Sequence, residues 1–180
     1  MKLLDMTTCS VADGKGFRLV IWCSGCEHHC EGCHNAQSWD CSKGEKITQD
    51  TIDTILEQLE LPYIYGVTFS GGDPLHPENL FDVYQLCDII KTNYPDKTIW
   101  LYTGYDFEDI WIPRGSVIPQ NCNPTRDLRN GILKYIDVLV DGQYIHQQRD
   151  ITLAFRGSSN QRLIDVQKTL YYNSIVLFEE

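Results

Sequence analysis

Four cysteines, Cys23, Cys26, Cys30 and Cys33, crowd into eleven residues, whereas Cys9, Cys41, Cys87 and Cys122 are scattered. The last three of the four are spaced C-x3-C-x2-C in a loop rich in Glu, His, Gly and Asn. Thiols packed as small core residues do not gather in so polar a segment. A zinc ribbon or finger pairs two C-x2-C knuckles about a dozen or more residues apart. Here Cys23-x2-Cys26 and Cys30-x2-Cys33 are separated by three residues, too few for that arrangement. Spacings of four and three suit instead three corners of a four-iron, four-sulfur cluster held by thiolates. The fourth iron is then open, and an open coordination position is where a substrate binds and chemistry begins. Cys23 is a candidate fourth ligand, but it ends an apolar run three residues before Cys26 and reads rather as the last residue of a strand.

The elements that must hold this loop follow from periodicity. Residues 17–22 (FRLVIW) are a β-rich run leading directly into it. Thr48 suits the cap of a helix with Ile52, Ile55 and Leu59 on one face. Residues 64–69 read as a strand ending at Ser70-Gly71-Gly72-Asp73-Pro74, and residues 77–93 as a helix with Pro77 in its first turn. Residues 98–102 form a third strand, ending at Thr103-Gly104-Tyr105. After an irregular stretch with Pro113, Gly115 and Pro119, residues 124–135 read as a helix. Residues 136–140 read as a fourth strand, ending at Asp141-Gly142. Shorter strands are expected at 151–155 and 174–178. Alternating strands and helices specify an α/β fold with a mostly parallel sheet, whose ligands collect at the carboxyl ends of the strands. The cysteine loop, SGGDP, TGY and DG all fall at such ends, which points to one active site.

Length and charge narrow the classes further. The chain has 180 residues, consistent with one domain over 1–180. A complete eight-fold barrel takes about 250 residues, so the expected architecture is an incomplete (β/α) barrel, open along one side. Fifteen basic and twenty-five acidic side chains give a net charge of −10, which argues against nucleic acid or an anionic membrane as partner. No apolar run reaches the length of a membrane span, and Asp5 interrupts the segment where a signal peptide needs its apolar core. The expected location is the cytoplasm, where clustered cysteines bind metal or do redox chemistry.

The motifs together resemble a known family. C-x3-C-x2-C after the first strand resembles the radical S-adenosylmethionine (SAM) enzymes. GC-x3-C-x-GCHN from Gly25, FSGGDPLHP from Phe69, WLYTGY from Trp100, DVLVDG from Asp137 and FRGSSNQR from Phe155 occur in order. In that order they are similar to the activating proteins of anaerobic (class III) ribonucleoside-triphosphate reductases. One departure is Asp13-Gly14-Lys15-Gly16 in place of a glycine-proline-glycine turn, though its two glycines can still make a turn. The tail from Leu163 carries no recognisable motif.

The resemblance implies a radical SAM-type fold, a 4Fe-4S cluster on Cys26, Cys30 and Cys33, and SAM as cofactor. It implies that Ser70, Gly71 and Gly72 receive the methionine amino group, with Asp73 either touching the ligand or fixing the turn. Backbone at Gly32 and His34, flanking Cys33, would contact adenine, and Thr103 and Gly104 the ribose or methionine. His28 and His29 have no ligand role in the pattern and read as solvated or partner-facing. Asp141 is a candidate for the cofactor or a cation, and Arg156 for a salt bridge or the methionine carboxylate. The implied activity is reductive cleavage of SAM, then hydrogen abstraction from a glycine of the reductase catalytic subunit, with a flavodoxin-type electron donor. Such chemistry belongs to the cofactor and needs no acid–base pair. The alternatives are a small-molecule radical enzyme resembling 7-carboxy-7-deazaguanine synthase, and a non-catalytic iron–sulfur or zinc module.

Overall fold

A computed structural model describes residues 1–116 and 123–179; Pro119 and Cys122 lie outside the described residues. In chain order the elements begin with strands β1 (Lys2–Ser10), β2 (Phe17–Cys23) and β3 (Glu45–Lys46), then helix α1 (Gln49–Glu60). β4 (Ile64–Gly71), α2 (Leu80–Asn93), β5 (Thr98–Tyr102) and the short helix α3 (Phe107–Ile110) follow. The chain closes with α4 (Pro124–Leu133), β6 (Val138–Asp141), β7 (Arg162–Asp165) and α5 (Val166–Tyr172). Among the described residues the strands form one sheet in the order β3-β1-β2-β4-β5-β6-β7. β2, β4, β5 and β6 are mutually parallel, as their apolar runs predict, while β1, β3 and β7 pair antiparallel at the flanks. The sheet ends at β3 and β7 and does not close. No helix among the described residues is long and apolar enough to cross a membrane.

Period-two alternation divides the sheet's residues between its faces. Leu19, Ile21, Val67, Phe69, Ile99, Leu101 and Leu139 share a buried core with Ile55 and Leu59 of α1, Val83 and Ile90 of α2, and Ile132 and Leu133 of α4. The opposite face carries a smaller cluster of Trp100, Val138, Val140 and Leu163, with Phe155 and Phe178 packed against it. Thr48 caps α1 as expected, with reciprocal bonding between Thr48 and Thr51. The expected helix at 77–93 starts only at Leu80. Residues 73–79 first make two tight turns (His76 N–H to Asp73 O, 2.9 Å; Asn79 N–H to His76 O, 2.8 Å), so Pro77 lies ahead of the helix.

Two expected strands do not form. Residues 151–155 form turns instead of a strand, because Asp150 Oδ1 captures the Thr152 amide (2.9 Å) and hydroxyl (2.6 Å). Residues 174–178 contribute only an isolated bridge, Ile164 to Leu177. The unassigned ends both have structure: β1 lies along β2, and the tail holds β7 and α5, whose cap is Asp165.

Two buried charged groups fasten the sheet. Arg18, 0% exposed, stands on the face away from the helices beside the Trp100 ring. Its Nε donates to Thr68 Oγ1 (2.7 Å), Nη1 to Thr98 Oγ1 (2.9 Å) and Lys15 O (3.2 Å), and Nη2 to Val67 O (2.6 Å) and Thr98 O (2.9 Å). All five guanidinium hydrogens are thereby used. Gly14 (φ +134°) makes room for it, since a Cβ there would stand 2.8 Å from Arg18 Cδ. Burial lowers the Arg18 pKa to about 10.

Asp141, 1% exposed, is the second group. It accepts from Arg162 through both oxygens and from the Phe107 amide (2.9 Å). Arg162 also forks onto Glu108 (2.9 and 2.7 Å). Asp141, a candidate for the cofactor or a cation from sequence, here ties β6 to β7 and to the start of α3.

Arg18→Ala should cost about 3–5 kcal/mol, because the carbonyls and hydroxyls it serves lose their donors inside the protein. Urea unfolding checks this, and a loss below about 1 kcal/mol would show the network to be dispensable. Asp141→Ala should cost about 3 kcal/mol by orphaning Arg162 and the Phe107 amide, read from the same measurement. Arg162 holds the Glu108 pKa below its usual range. The stability Glu108 contributes is thus present above its unfolded pKa and lost as pH falls through the folded one. The difference between wild type and Glu108→Gln, no more than about 1 kcal/mol for so exposed a pair, should accordingly shrink as the solution is acidified.

Candidate functional site

The cysteine loop leaves β2 at Cys23 and is held at its base by backbone bonds. Gly25 N–H donates to Ser38 O (2.7 Å) and Cys26 N–H to Trp39 O (3.2 Å). Cys23 is wholly buried near the Asn79 amide, and burial pushes its thiol pKa up, in keeping with its reading as the end of the strand. Cys26, Cys30 and Cys33 are half-buried and free of disulfides. Burial raises the Cys26 pKa to about 11 and that of Cys30 in the same direction. The backbone amides of His28 and His29 oppose this at Cys26 and that of Tyr144 at Cys30. The Asn35 amide donates to Cys33 Sγ (3.4 Å).

Amides aimed at sulfur stabilise thiolates and tune iron–sulfur centres, so this donor set fits such a cluster. Loading it would release protons from the thiols. Among the described residues no three His, Cys, Asp or Glu side chains are grouped to hold a single metal ion.

The SGGDP turn lies directly against the base of this loop. Gly72 N–H donates to Cys23 O and Asp73 N–H to Gly25 O, each at 2.7 Å. A Cβ on Gly71 (φ +106°) would stand 2.5 Å from Cys23 O, and one on Gly72 2.5 Å from Gly25 O. The two glycines are therefore required by the approach of one chain segment to another. Ser70, Gly71 and Gly72 remain partly accessible.

Asp73, 1% exposed, gathers the ends of the strands. Its carboxylate accepts from Leu75 N–H (2.8 Å), Thr103 Oγ1 (2.9 Å), Gly104 N–H (2.9 Å) and His28 Nε2 (2.8 Å). Of the two roles expected for Asp73, turn fixing is the one occupied by these contacts. The Thr103 hydroxyl and the Gly104 amide are likewise directed at Asp73. His28 is not solvated: its side chain is 7% exposed and packs over Gly104 and Tyr105. His29 is exposed, as expected.

On the other side of the loop, Cys30, Gly32, Cys33 and His34 line a cleft of about 740 Å³, facing Tyr144, His146 and Arg156. Gly32 (φ +72°) permits this approach, since a Cβ would meet His146 Nδ1 at 2.7 Å. The sequence-predicted residues thus divide into two groups, one lining the cleft and one beneath the loop at Asp73. Tyr144, His146 and Arg149, which also line the cleft, were missed. They belong to the excursion between β6 and β7, where no spacing signals them.

Comparison with known proteins agrees with this arrangement. A family model described as a 4Fe-4S single cluster domain matches residues 12–164. A Vibrio cholerae serotype O1 protein is 42% identical over 153 residues, covering 84% of this chain and 89% of its own. An enterobacteria phage T4 protein is 38% identical over 155 residues, covering 86% and 88%. An Escherichia coli K12 protein is 36% identical over 153 residues, covering 84% and 90%. All three carry the name anaerobic ribonucleoside-triphosphate reductase-activating protein. The order of motifs, the loop of three free thiols and these relatives place the chain in the family of anaerobic ribonucleoside-triphosphate reductase-activating proteins.

Proposed function

We propose that this chain activates an anaerobic ribonucleoside-triphosphate reductase by installing a glycyl radical in it, using a 4Fe-4S cluster and SAM. The observation that supports this most is the direct bonding of the three-thiol loop to the SGGD turn at Cys23 and Gly25. A cluster held by Cys26, Cys30 and Cys33 would supply the one electron that reductive cleavage of SAM takes, and so the means of removing hydrogen from a glycine of the reductase.

The chain's own residues bind, orient and exclude. Cys26, Cys30 and Cys33 would hold the cluster as thiolates, leaving one iron without a protein ligand for the methionine amino and carboxylate groups. Ser70, Gly71 and Gly72 offer backbone polar groups, unobstructed by Cβ at the glycines, to the amino group. Gly32 and His34 offer backbone to adenine from the cleft. Thr103, Gly104 and Asp73 support the methionine end by holding the strand ends in register. The sheet that stops at β3 and β7 is read as an incomplete (β/α) barrel of one domain, its open side admitting the glycine-bearing loop of the reductase. The electron donor is a flavodoxin-type protein, and the compartment the cytoplasm.

Anaerobic reconstitution with iron, sulfide, SAM and the cognate reductase should give a glycyl-radical doublet by electron paramagnetic resonance. 5′-Deoxyadenosine formation should depend on the reductase polypeptide and not on a small-molecule substrate. Cys26→Ala, Cys30→Ala and Cys33→Ala should each lose the absorption near about 400 nm and lower the radical yield below about one hundredth. Cys9→Ala, at an exposed strand position, should change neither. A reduced cluster with bound SAM but no doublet would refute the proposal.

A further inference from the structure

We infer that His28 is a positioning residue that pins the three-thiol loop onto the carboxyl ends of three strands. The geometry stands by itself, while the consequence for SAM rests on the proposed function. His28 lies midway between Cys26 and Cys30. Its Nε2 is 2.8 Å from Asp73 Oδ2, beyond β4. Its ring meets the Tyr105 ring edge-on, centroids 4.5 Å apart, beyond β5. Its Nδ1 is 3.2 Å from Gln143 Nε2, beyond β6. Gly104 is bare beneath it, since a Cβ there would stand 2.4 Å from His28 Cδ2.

The hydrogen bonding selects one tautomer. A carboxylate only accepts, so Nε2 carries the proton and Nδ1 accepts from the Gln143 amide. Asp73 is itself fixed by Leu75, Thr103 and Gly104, so it presents a rigid acceptor. A second contact runs parallel to the pin, from the Tyr105 hydroxyl to Glu27, but that carboxylate is largely exposed and weakly restrained. His28 thus sets how far the thiols stand from the SGGD turn. Groups in this position, behind metal ligands, change affinity at the centre more than they change the fold.

Two variants test the pin. His28→Ala removes it; His28→Gln keeps an N–H that can reach Asp73 from the Nε2 position. In the full chain without added iron, His28→Ala should exchange the amides of residues 26–33 about tenfold faster. The amides of β2, β4 and β5 should exchange as in wild type. In the loaded protein, His28→Ala should raise KM for SAM about tenfold and change kcat less than about threefold, with His28→Gln restoring both to within about threefold. The inference is overturned if exchange in 26–33 is unchanged, if it rises equally in the strands, or if His28→Gln behaves as His28→Ala does. Failure of the wild-type chain to cleave SAM would refute the proposed function, and the exchange arm would still decide the pin.

Discussion

A carboxylate taken out of water must be surrounded by donors, and the placement of Asp73 follows from that requirement. Its oxygens take hydrogen bonds from its own turn, from the end of β5 and from the cysteine loop. A hydrogen bond to a charged group contributes about 1.5–3 kcal/mol, and a buried charge left without donors costs more. One side chain thus joins all three segments. The Asn79 amide reinforces it by donating to Asp73 O (2.9 Å) and Ser24 O (2.8 Å). That use of Asn79 is also why it does not cap α2 with its side chain.

Arg18 plays a corresponding part near the opposite ends of the same strands. It is surrounded by carbonyl and hydroxyl oxygens and, among the described residues, bonds to no carboxylate. The parallel strands are apolar runs of four to eight residues, and a slip of two along any of them keeps the same side chains facing the core. Arg18 at one end and Asp73 at the other each accept only one register. The uniform middle of the sheet is thus specified by polar groups at its limits.

This division explains how much could be read from sequence. The central strands and α1 announce themselves through alternation, helical spacing and the Thr48 cap, all of them local signals. β1 has a mixed run (KLLDMTTCS) with irregular register and Cys9 at φ +66°, so no period marks it. β7 and α5 are short, and β7 exists through its pairing with β6. At the site, spacing singled out the three cysteines and the polar ends of the strands. What spacing could not show is that Asp73 and Thr103 bond across thirty residues, or that His28 turns inward while its neighbour His29 faces solvent. Nor could spacing show the partner of Asp141: Arg162, twenty-one residues on, leaves no trace beside it in the chain.

The bonds from Gly72 and Asp73 to Cys23 and Gly25 are made entirely by backbone atoms. No side chain carries this link, so exchanging side chains around it leaves it intact. What protects it is empty volume at positions 71 and 72, where a single carbon would collide with a carbonyl oxygen. Ordering at the turn and ordering at the thiol loop are consequently one event, and by linkage each must favour the other by the same free energy. The chain holds its two halves of a site together through atoms it does not have.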